Sequence, residues 1–179
     1  MSKNILIISS SPRRGGNSDL LCDAWMEGAG KAGHHVEKIR LAEHAIGPCR
    51  GCGACDRPGQ ACPQQDDMAE LLQKMLAADI IVLATPVYFY SVSGQMKTFI
   101  DRTVARYREL SGKEFYFIVA AAEDDRNAME RTIECFRGYL DCLDGAVEKG
   151  VVYGVGAWKI GDILNSPALD EARAMGERA

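Results

Sequence analysis

Residues 4–9 read Asn-Ile-Leu-Ile-Ile-Ser, and residues 9–18 read Ser-Ser-Ser-Pro-Arg-Arg-Gly-Gly-Asn-Ser. The unbroken apolar run predicts a strand that is buried on both faces. The small, turn-forming residues after it predict a tight loop, which we call the first loop (residues 9–18). Asn17 or Ser18 is a good N-cap for a helix that continues to about Lys31. The stretch therefore predicts a strand, a loop and a helix in succession.

The first loop has the composition of an anion-binding site. Backbone N–H groups at a helix start have no intrahelical partner and lie at the positive end of the helix dipole. Three serine hydroxyls and the side chains of Arg13 and Arg14 add donors that suit phosphate. The loop lacks the Gly-Lys-Ser/Thr ending of a P-loop and the spacing of a dinucleotide fingerprint. We therefore predict a monophosphate ligand, with a purely structural strand–helix turn as the alternative.

The rest of the chain continues the alternation of strands and helices. Four more strands are predicted around Val36–Leu41, Asp79–Ala84, Glu114–Ala122 and Val147–Gly154. Helices are predicted over Met68–Leu76 after Asp66-Asp67, from Gly94 as far as Tyr107, from Asp124 or Asp125 to about Leu140, and from Pro167 as the first helical residue. This order implies an α/β fold, a doubly wound parallel sheet with helices on both faces, in a single domain over residues 1–179. Ligands on such sheets bind beyond the carboxyl ends of the strands.

An aromatic cluster follows the third predicted strand. Residues 85–94, the third loop, read Thr-Pro-Val-Tyr-Phe-Tyr-Ser-Val-Ser-Gly. Successive side chains on an extended chain point to opposite sides, so Tyr88, Phe89 and Tyr90 cannot all enter the core. Some of them should line a surface cleft, where a flat ring system could pack. Aromatic residues at the edge of the core are the alternative.

Four cysteines lie in an irregular stretch rich in Cys, Gly and Pro, which we call the cysteine segment (residues 46–63). The spacing is Cys49-x2-Cys52-x2-Cys55, followed by Cys62-Pro63. Four thiolates are what a [4Fe–4S] cluster requires, and C-x2-C-x2-C is a usual way to offer three of them. Zinc, a redox-active dithiol and a loop without metal remain alternatives. The other cysteines, Cys22, Cys135 and Cys142, fall in predicted helices and are expected to be buried.

Bulk properties exclude several classes of protein. The net charge is −4 and the basic residues are interspersed with acidic ones, which argues against a nucleic-acid partner. No run of eighteen apolar residues occurs, so no membrane partner is expected. The N-terminal residues lack the pattern of a signal peptide, so we predict a cytoplasmic protein with reduced thiols.

Together these motifs resemble the flavodoxin-like NAD(P)H-dependent FMN reductases, particularly their iron–sulfur flavoprotein branch. The resemblance is carried by the first and third loops and by Ser93–Lys97, Phe99–Arg102 and Gly161–Ile163. It implies a five-stranded sheet of order 2-1-3-4-5 and an FMN-dependent oxidoreductase. It also implies NAD(P)H or a protein as electron donor, a small-molecule or protein acceptor, and a homodimer or homotetramer. The alternatives are a non-enzymatic flavodoxin-like electron carrier and a metal- or redox-sensing module that uses the cysteine segment.

The resemblance also implies a set of site residues. Those expected at the FMN phosphate are Ser9, Ser11, Arg13, Asn17 and Ser18. Those expected along the isoalloxazine ring are Pro86, Val87, Tyr88 and Phe89, with Ala121 and Ala122 near its pyrimidine edge. The residues that match cluster ligands are Cys49, Cys52, Cys55 and Cys62, expected on the same edge of the sheet as the flavin. No catalytic side chain is expected, because the flavin carries the chemistry.

Overall fold

A computed structural model describes residues 1–57 and 60–179, so Pro58 and Gly59 of the predicted cysteine-rich insertion lie outside the described residues. Five parallel strands form one sheet in the order β2-β1-β3-β4-β5, which confirms the predicted architecture. The strands are β1 (Asn4–Ser9), β2 (His35–Arg40), β3 (Ile80–Pro86), β4 (Glu114–Ala120) and β5 (Val147–Gly154). The most apolar runs, β1 and β3, are neighbours in the middle of the sheet, where both faces are covered.

Five α-helices connect and cover the strands. They are α1 (Asn17–Lys31), α2 (Met68–Ala77), α3 (Gly94–Arg102), α4 (Glu130–Leu140) and α5 (Ala168–Glu177). Helix α3 ends earlier than the predicted Tyr107, because the Thr103 hydroxyl donates to the Ile100 carbonyl at 2.7 Å and 3-10 turns follow. Helix α4 begins later than predicted, because the Asp125 side chain caps a 3-10 turn that precedes it.

The apolar core lies in two layers, one on each face of the sheet. On β1, Leu6 and Ile8 face one layer while Ile5 and Ile7 face the other, as the alternation of strand side chains requires. The first layer contains side chains of α2, α3 and α4. The second contains side chains of α1 and α5. Helices therefore cover both faces, as predicted.

Helices α1 and α5 pack closely through two glycines. A Cβ atom built on Gly28 would lie 2.0 Å from the backbone oxygen of Arg173. One built on Gly176 would lie 2.1 Å from the backbone oxygen of Trp25. Each glycine thus lets the backbone of the other helix approach where no side chain fits. This contact fixes α1, the helix that follows the first loop, against the sheet.

The topology brings the loops that follow β1, β3 and β4 to one edge of the sheet. In a parallel sheet the carboxyl ends of all strands share an edge, and here β1 lies between β2 and β3. Across the described residues, no helix is both long and apolar enough to span a membrane.

Candidate functional site

The backbone of the first loop closes tightly just before α1. Gly16 is the N-cap and has an extended conformation, and Gly15 has a φ of 65° that favours glycine. A Cβ atom built on Gly16 would lie 2.7 Å from the Ser11 Oγ and 3.1 Å from the Arg13 carbonyl oxygen. The loop therefore needs a residue without a side chain at its point of closure.

A buried carboxylate behind the loop holds it in shape. Asp19, which is 2% exposed, accepts hydrogen bonds from Ser9 Oγ at 3.1 Å and from the Gly15 amide at 3.0 Å. Lys38 of β2 donates to the same carboxylate at 3.1 Å. Burial alone would raise the pKa of Asp19, but the bonds from Gly15 and Lys38 outweigh it, and the pKa is lowered. Sequence reasoning placed Asp19 only at the start of a helix and missed this role.

The side chain of Asn17 ties the first loop to the segment after β5. Its Nδ2 donates to the carbonyl oxygens of Ala157 at 3.1 Å and Lys159 at 2.8 Å. Its Oδ1 accepts from the amides of Gly161 at 3.1 Å and Ile163 at 3.4 Å. The predicted phosphate residues Ser9 and Asn17 therefore already have protein partners for their side chains.

Ser18, unlike Ser9 and Asn17, has a side chain without a protein partner among the described residues. Its Oγ is buried and has no hydrogen-bond partner among the residues that the structure describes. A buried hydroxyl without a hydrogen-bond partner destabilises the folded protein. Ser18 also lies in the first turn of α1, where the backbone amides lack intrahelical partners. Among the described residues, Ser11 Oγ bonds only Arg13, at the long distances of 3.2 and 3.3 Å, and the Arg13 side chain is exposed. An anion at this helix start would supply the missing acceptors.

The third loop forms a tight turn of unusual backbone geometry. Tyr88 and Ser91 exchange two backbone hydrogen bonds of 3.0 and 3.1 Å. The two residues between them, Phe89 and Tyr90, have φ angles of 50° and 59°. Such angles are common for Gly and Asn but cost free energy in aromatic residues, and strain of this kind is often found at functional sites. All three aromatics are exposed, Phe89 completely, so none enters the core.

A chain of buried hydroxyls connects the first and third loops. Ser93 Oγ donates to Ser10 Oγ at 2.9 Å, and Ser10 Oγ donates to the Ala84 carbonyl oxygen at 3.0 Å. The Ser93 amide donates to Thr85 Oγ1 at 2.9 Å, and Ser93 Oγ also caps α3. The relative position of the two loops is therefore fixed without a ligand.

The loop after β4 completes the same edge. The Val87 amide donates to the Ala120 carbonyl oxygen at 2.8 Å, which places the third loop beside the end of β4. Ala121 is buried; its amide donates to the Gly154 carbonyl oxygen and its carbonyl oxygen accepts from the Ala157 amide, while Ala122 is exposed. The residues predicted for FMN thus lie in three loops at one edge of the sheet.

The four cysteines of the cysteine segment line one cavity of about 150 Å³, together with Arg102 and Val104. Cys49 and Cys52 are exposed, whereas Cys55 and Cys62 are half-buried. Burial and the neighbouring Asp56 raise the pKa of the Cys55 thiol. Within residues 1–57 and 60–179, no three His, Cys, Asp or Glu side chains converge on a point that one metal ion could occupy.

The cysteine cavity does not lie where the sequence placed it. Arg102, the last residue of α3, is in its wall, whereas Ser93 of the third loop caps the start of α3. A helix of this length separates the two ends by about 12 Å at 1.5 Å per residue. The expectation of a cluster on the flavin edge is therefore corrected: the segment folds back along α3 to its far end.

The remaining cysteines are only partly as predicted. Cys22 of α1 is fully buried, as expected, and desolvation raises the pKa of its thiol. Cys135 and Cys142 are exposed, contrary to prediction. Cys135 lies on the outer side of α4 and its thiol donates to the Arg131 carbonyl oxygen at 3.4 Å, while Cys142 follows the end of that helix.

Comparison with known proteins points the same way as the geometry. Residues 3–156 match the family model of NADPH-dependent FMN reductases. An iron-sulfur flavoprotein of Archaeoglobus fulgidus is 43% identical over 95 residues, which are 53% of this chain and 43% of that protein. An iron-sulfur flavoprotein of Methanosarcina thermophila is 33% identical over 135 residues, 74% of this chain and 70% of that protein.

A solved structure extends the likeness to the whole fold. The NAD(P)H:quinone oxidoreductase from Methanothermobacter marburgensis has a TM-score of 0.79 and 18% identity, and the match covers 99% of this chain and 97% of that one. At this identity the match shows a common fold alone. In the matches that extend over fewer than 100 residues, the chain spans about half the length of the curated relative.

Proposed function

Because the chain belongs to the family of NADPH-dependent FMN reductases, we propose that it is an FMN-dependent oxidoreductase that passes electrons from NAD(P)H to an acceptor. The observation that carries the proposal is the unpartnered Ser18 hydroxyl at the start of α1, beside a third loop that buried serines fix in place. When bound, FMN supplies the hydride and electron chemistry. The protein supplies binding and orientation.

The phosphate of FMN would be held by Ser11, Arg13 and Ser18 together with the amides of the first turn of α1. Ser9 and Asn17 would hold the loop in shape without contacting the phosphate through their side chains. Those side chains already bind Asp19 and the segment after β5, respectively. Gly16 keeps this cradle open, because a Cβ atom there would meet the Ser11 Oγ. A doubly charged phosphate suits this helix start, where the dipole favours anions.

The isoalloxazine ring would pack along Pro86, Val87, Tyr88 and Phe89, with Ala121 and Ala122 at its pyrimidine edge. The amides of Val87, Tyr88 and Ala121 already donate to backbone carbonyl oxygens, so they would contribute by fixing the loops around the ring. The exposed Phe89 and Tyr90 give the third loop a broad aromatic surface. Because the strained turn between Tyr88 and Ser91 is already formed, ring binding would cost little ordering entropy.

Titration of the purified protein with FMN, followed by NADPH and NADH oxidation under anaerobic conditions, tests this proposal. We expect saturable binding of one FMN per chain and bleaching of flavin absorbance by a reduced nicotinamide. Turnover with a quinone or dye acceptor would then distinguish an enzyme from an electron carrier. Failure to bind FMN would contradict the proposal, and FMN binding without reduction by either nicotinamide would favour the carrier.

We further propose that Cys49, Cys52, Cys55 and Cys62 bind a [4Fe–4S] cluster. Two observations support this: all four line one cavity of about 150 Å³, and the relatives described above are named iron-sulfur flavoproteins. Zinc is less favoured, because structural zinc sites usually take their four thiolates from two separated pairs, whereas Cys49, Cys52 and Cys55 form one compact run.

Anaerobic reconstitution with iron and sulfide, followed by analysis of iron, acid-labile sulfide and zinc, tests the cluster. We expect about four irons and four sulfides per chain. Cys62→Ser should lose most of both and still bind FMN. Cys135→Ser is the matched control, an exposed cysteine outside the segment, and should keep both. Bound zinc in place of iron, or equal iron in both variants, would contradict the proposal.

Three further properties remain part of this proposal: a single domain over residues 1–179, a cytoplasmic location, and assembly as a homodimer or homotetramer. Light scattering coupled to size-exclusion chromatography measures the last of these directly. A mass of one chain at micromolar concentration would contradict it.

A further inference from the structure

Arg102, at the end of α3, has an unusual environment for an arginine. Its side chain is only 2% exposed. Its Nη1 donates to Asp66 Oδ2 at 2.6 Å and its Nη2 to Asp66 Oδ1 at 2.9 Å, the two-bond geometry in which arginine binds a carboxylate most specifically. This hydrogen bond and charge hold the pKa of Asp66 below its usual range.

The same guanidinium closes the base of the cysteine segment. Arg102 Nη1 also donates to the Gly47 carbonyl oxygen at 2.7 Å. Asp66 in turn accepts from the amides of Gly47 at 3.1 Å and Met68 at 3.2 Å. Gly47 precedes the first cysteine of the motif and Asp66 follows the last. One arginine from α3 therefore holds both ends of the segment together.

One donor of Arg102 points at the cysteines themselves. Its Nη2 lies 3.8 Å from the sulfur of Cys62, within hydrogen-bond range for sulfur. Arg102 is also part of the wall of the cavity that the four cysteines line. Its buried Nε has no partner in the part of the chain that is described.

We propose that Arg102 is a positioning residue for the cysteine site: held by Asp66 and Gly47, it orients Cys62 through an N–H···S bond and sets the reduction potential of the bound cluster. This inference rests on the cluster proposed above. Hydrogen bonds to sulfur and local charge are among the main determinants of cluster potential. The reduced cluster carries one more negative charge, so an adjacent cation stabilises it and makes the potential more positive.

The Arg102–Asp66 pair gives two changes with opposite predicted effects. Arg102→Gln removes the cation and should make the potential more negative. Asp66→Asn removes the charge that compensates the guanidinium and should make the potential more positive. Both variants weaken the clamp at the base of the segment, so a purely mechanical role predicts weaker cluster binding in both and no difference in sign.

The test uses anaerobically reconstituted, FMN-loaded protein. Iron and sulfide per chain are measured, and the potential is obtained from a redox titration followed by the EPR signal of the reduced cluster. We expect Arg102→Gln to lower the affinity for iron by about tenfold or more. A loss of this size is typical when a residue that hydrogen-bonds a metal ligand is removed. Arg102→Lys keeps the charge but not the two-bond geometry, so it should bind iron weakly and shift the potential less.

Arg173→Gln is the matched control, because Arg173 of α5 pairs with Glu27 and Asp170 on the surface and is not in the wall of the cysteine cavity. It should match the wild type in iron content and potential. FMN binding reports that each variant is folded, since none of the residues proposed for FMN is changed in it. If Arg102→Gln holds too little cluster to titrate, Asp66→Asn and Arg102→Lys still give the sign and size of the shift.

The outcomes separate the two proposals. A wild-type protein that binds FMN but no iron overturns the cluster and this inference with it. A wild-type protein with a cluster, and Arg102→Gln equal to it in iron and potential, overturns only the role of Arg102. Shifts of the same sign in Arg102→Gln and Asp66→Asn overturn the electrostatic part.

Discussion

The first loop and the cysteine segment follow neighbouring strands, β1 and β2, but the protein holds them in different ways. The first loop is bound along its length: Ser9 and Gly15 to Asp19, Ser10 to Ser93, and Asn17 to the segment after β5. The cysteine segment is tied mainly at its base, by Arg102 and by Asp67, which accepts from the Ala45 amide. Its first two motif cysteines are exposed.

This difference indicates two ways of building a cofactor site. A loop that is already in its binding conformation loses little entropy when the ligand arrives. A segment held mainly at its base would gain further stability from a ligand, so that the binding free energy is partly folding free energy. The contacts of the first loop therefore stabilise the protein without a ligand, whereas those of the cysteine segment would contribute mainly once a ligand is bound. Four predictions test this contrast.

The largest effect is expected for Asp19→Asn. The change removes the charge that Lys38 and the Gly15 amide bind in the interior, and should lower the free energy of unfolding by about 2–4 kcal/mol. Chemical denaturation at pH 7 measures it. Asp23→Asn is the control, because Asp23 also binds Lys38 but is half exposed, and should cost about 0.5 kcal/mol.

The cost of Asp19→Asn should also depend on pH. The pKa of Asp19 is lower in the folded protein than in the unfolded chain, so its stabilisation is present above a pH of about 4 and is lost as the pH falls through the folded pKa. The difference between wild type and variant should therefore shrink in acid. A difference that stays constant from pH 7 to pH 3 would contradict the assigned role.

Ser18→Ala should affect ligand binding and leave the free protein unharmed. The hydroxyl has no partner within the described chain, so its removal should leave the free energy of unfolding unchanged or slightly higher. FMN affinity should fall about tenfold, which corresponds to about 1.4 kcal/mol. Thr132→Val is the matched control, a buried hydroxyl of α4 that likewise has no described partner, and should leave FMN affinity unchanged. Equal affinities for both variants would exclude Ser18 from the phosphate site.

Phe89→Asn should separate strain from binding in the third loop. Asn tolerates a positive φ, so the change should stabilise the protein by about 0.5–1 kcal/mol in thermal unfolding. FMN binding should weaken because the ring is lost. Phe89→Ala loses the ring but keeps the strain, so it should weaken FMN binding without the gain in stability. A loss of stability in Phe89→Asn would show that the turn is not strained.

The smallest effect is expected for the double change Cys49→Ser with Cys52→Ser in protein free of metal. Both side chains are exposed, so the free energy of unfolding should change by less than about 0.5 kcal/mol. Denaturation under reducing conditions, without iron or zinc, measures it. A loss above about 1 kcal/mol would mean that the cysteine segment is as firmly built as the first loop, and the contrast between the two regions would fail.

Local patterns were enough to predict the framework of the fold. The apolar runs of β1 and β3 and the helix Asn17–Lys31 were predicted closely, because burial on both faces and helix capping leave signals within a few residues. The edge position of β2 follows from the strand order that the resemblance implies, and the sheet confirms it. The exposed third loop followed from three consecutive aromatics.

What could not be predicted depends on contacts between distant parts of the chain. Lys38 reaches Asp19 from the next strand, and Arg102 reaches Asp66 across 36 residues. A buried pair of this kind leaves no periodic pattern, because each member looks like an ordinary surface charge in its own segment. The place of the cysteine segment was wrong for the same reason, since Arg102 bonds Gly47 and Asp66 on either side of it, from a helix that lies outside the segment.

The close approach of α1 and α5 at Gly28 and Gly176 has a consequence for how related sequences are interpreted. Both positions should accept only glycine, because even a methyl group would overlap the backbone of the facing helix. Neither lies in the first loop, the third loop or the cysteine segment. In an alignment or a mutational scan they should therefore rank among the most invariant positions. Invariance alone would thus point to a site that does not exist, and only the distance between two helices would explain it.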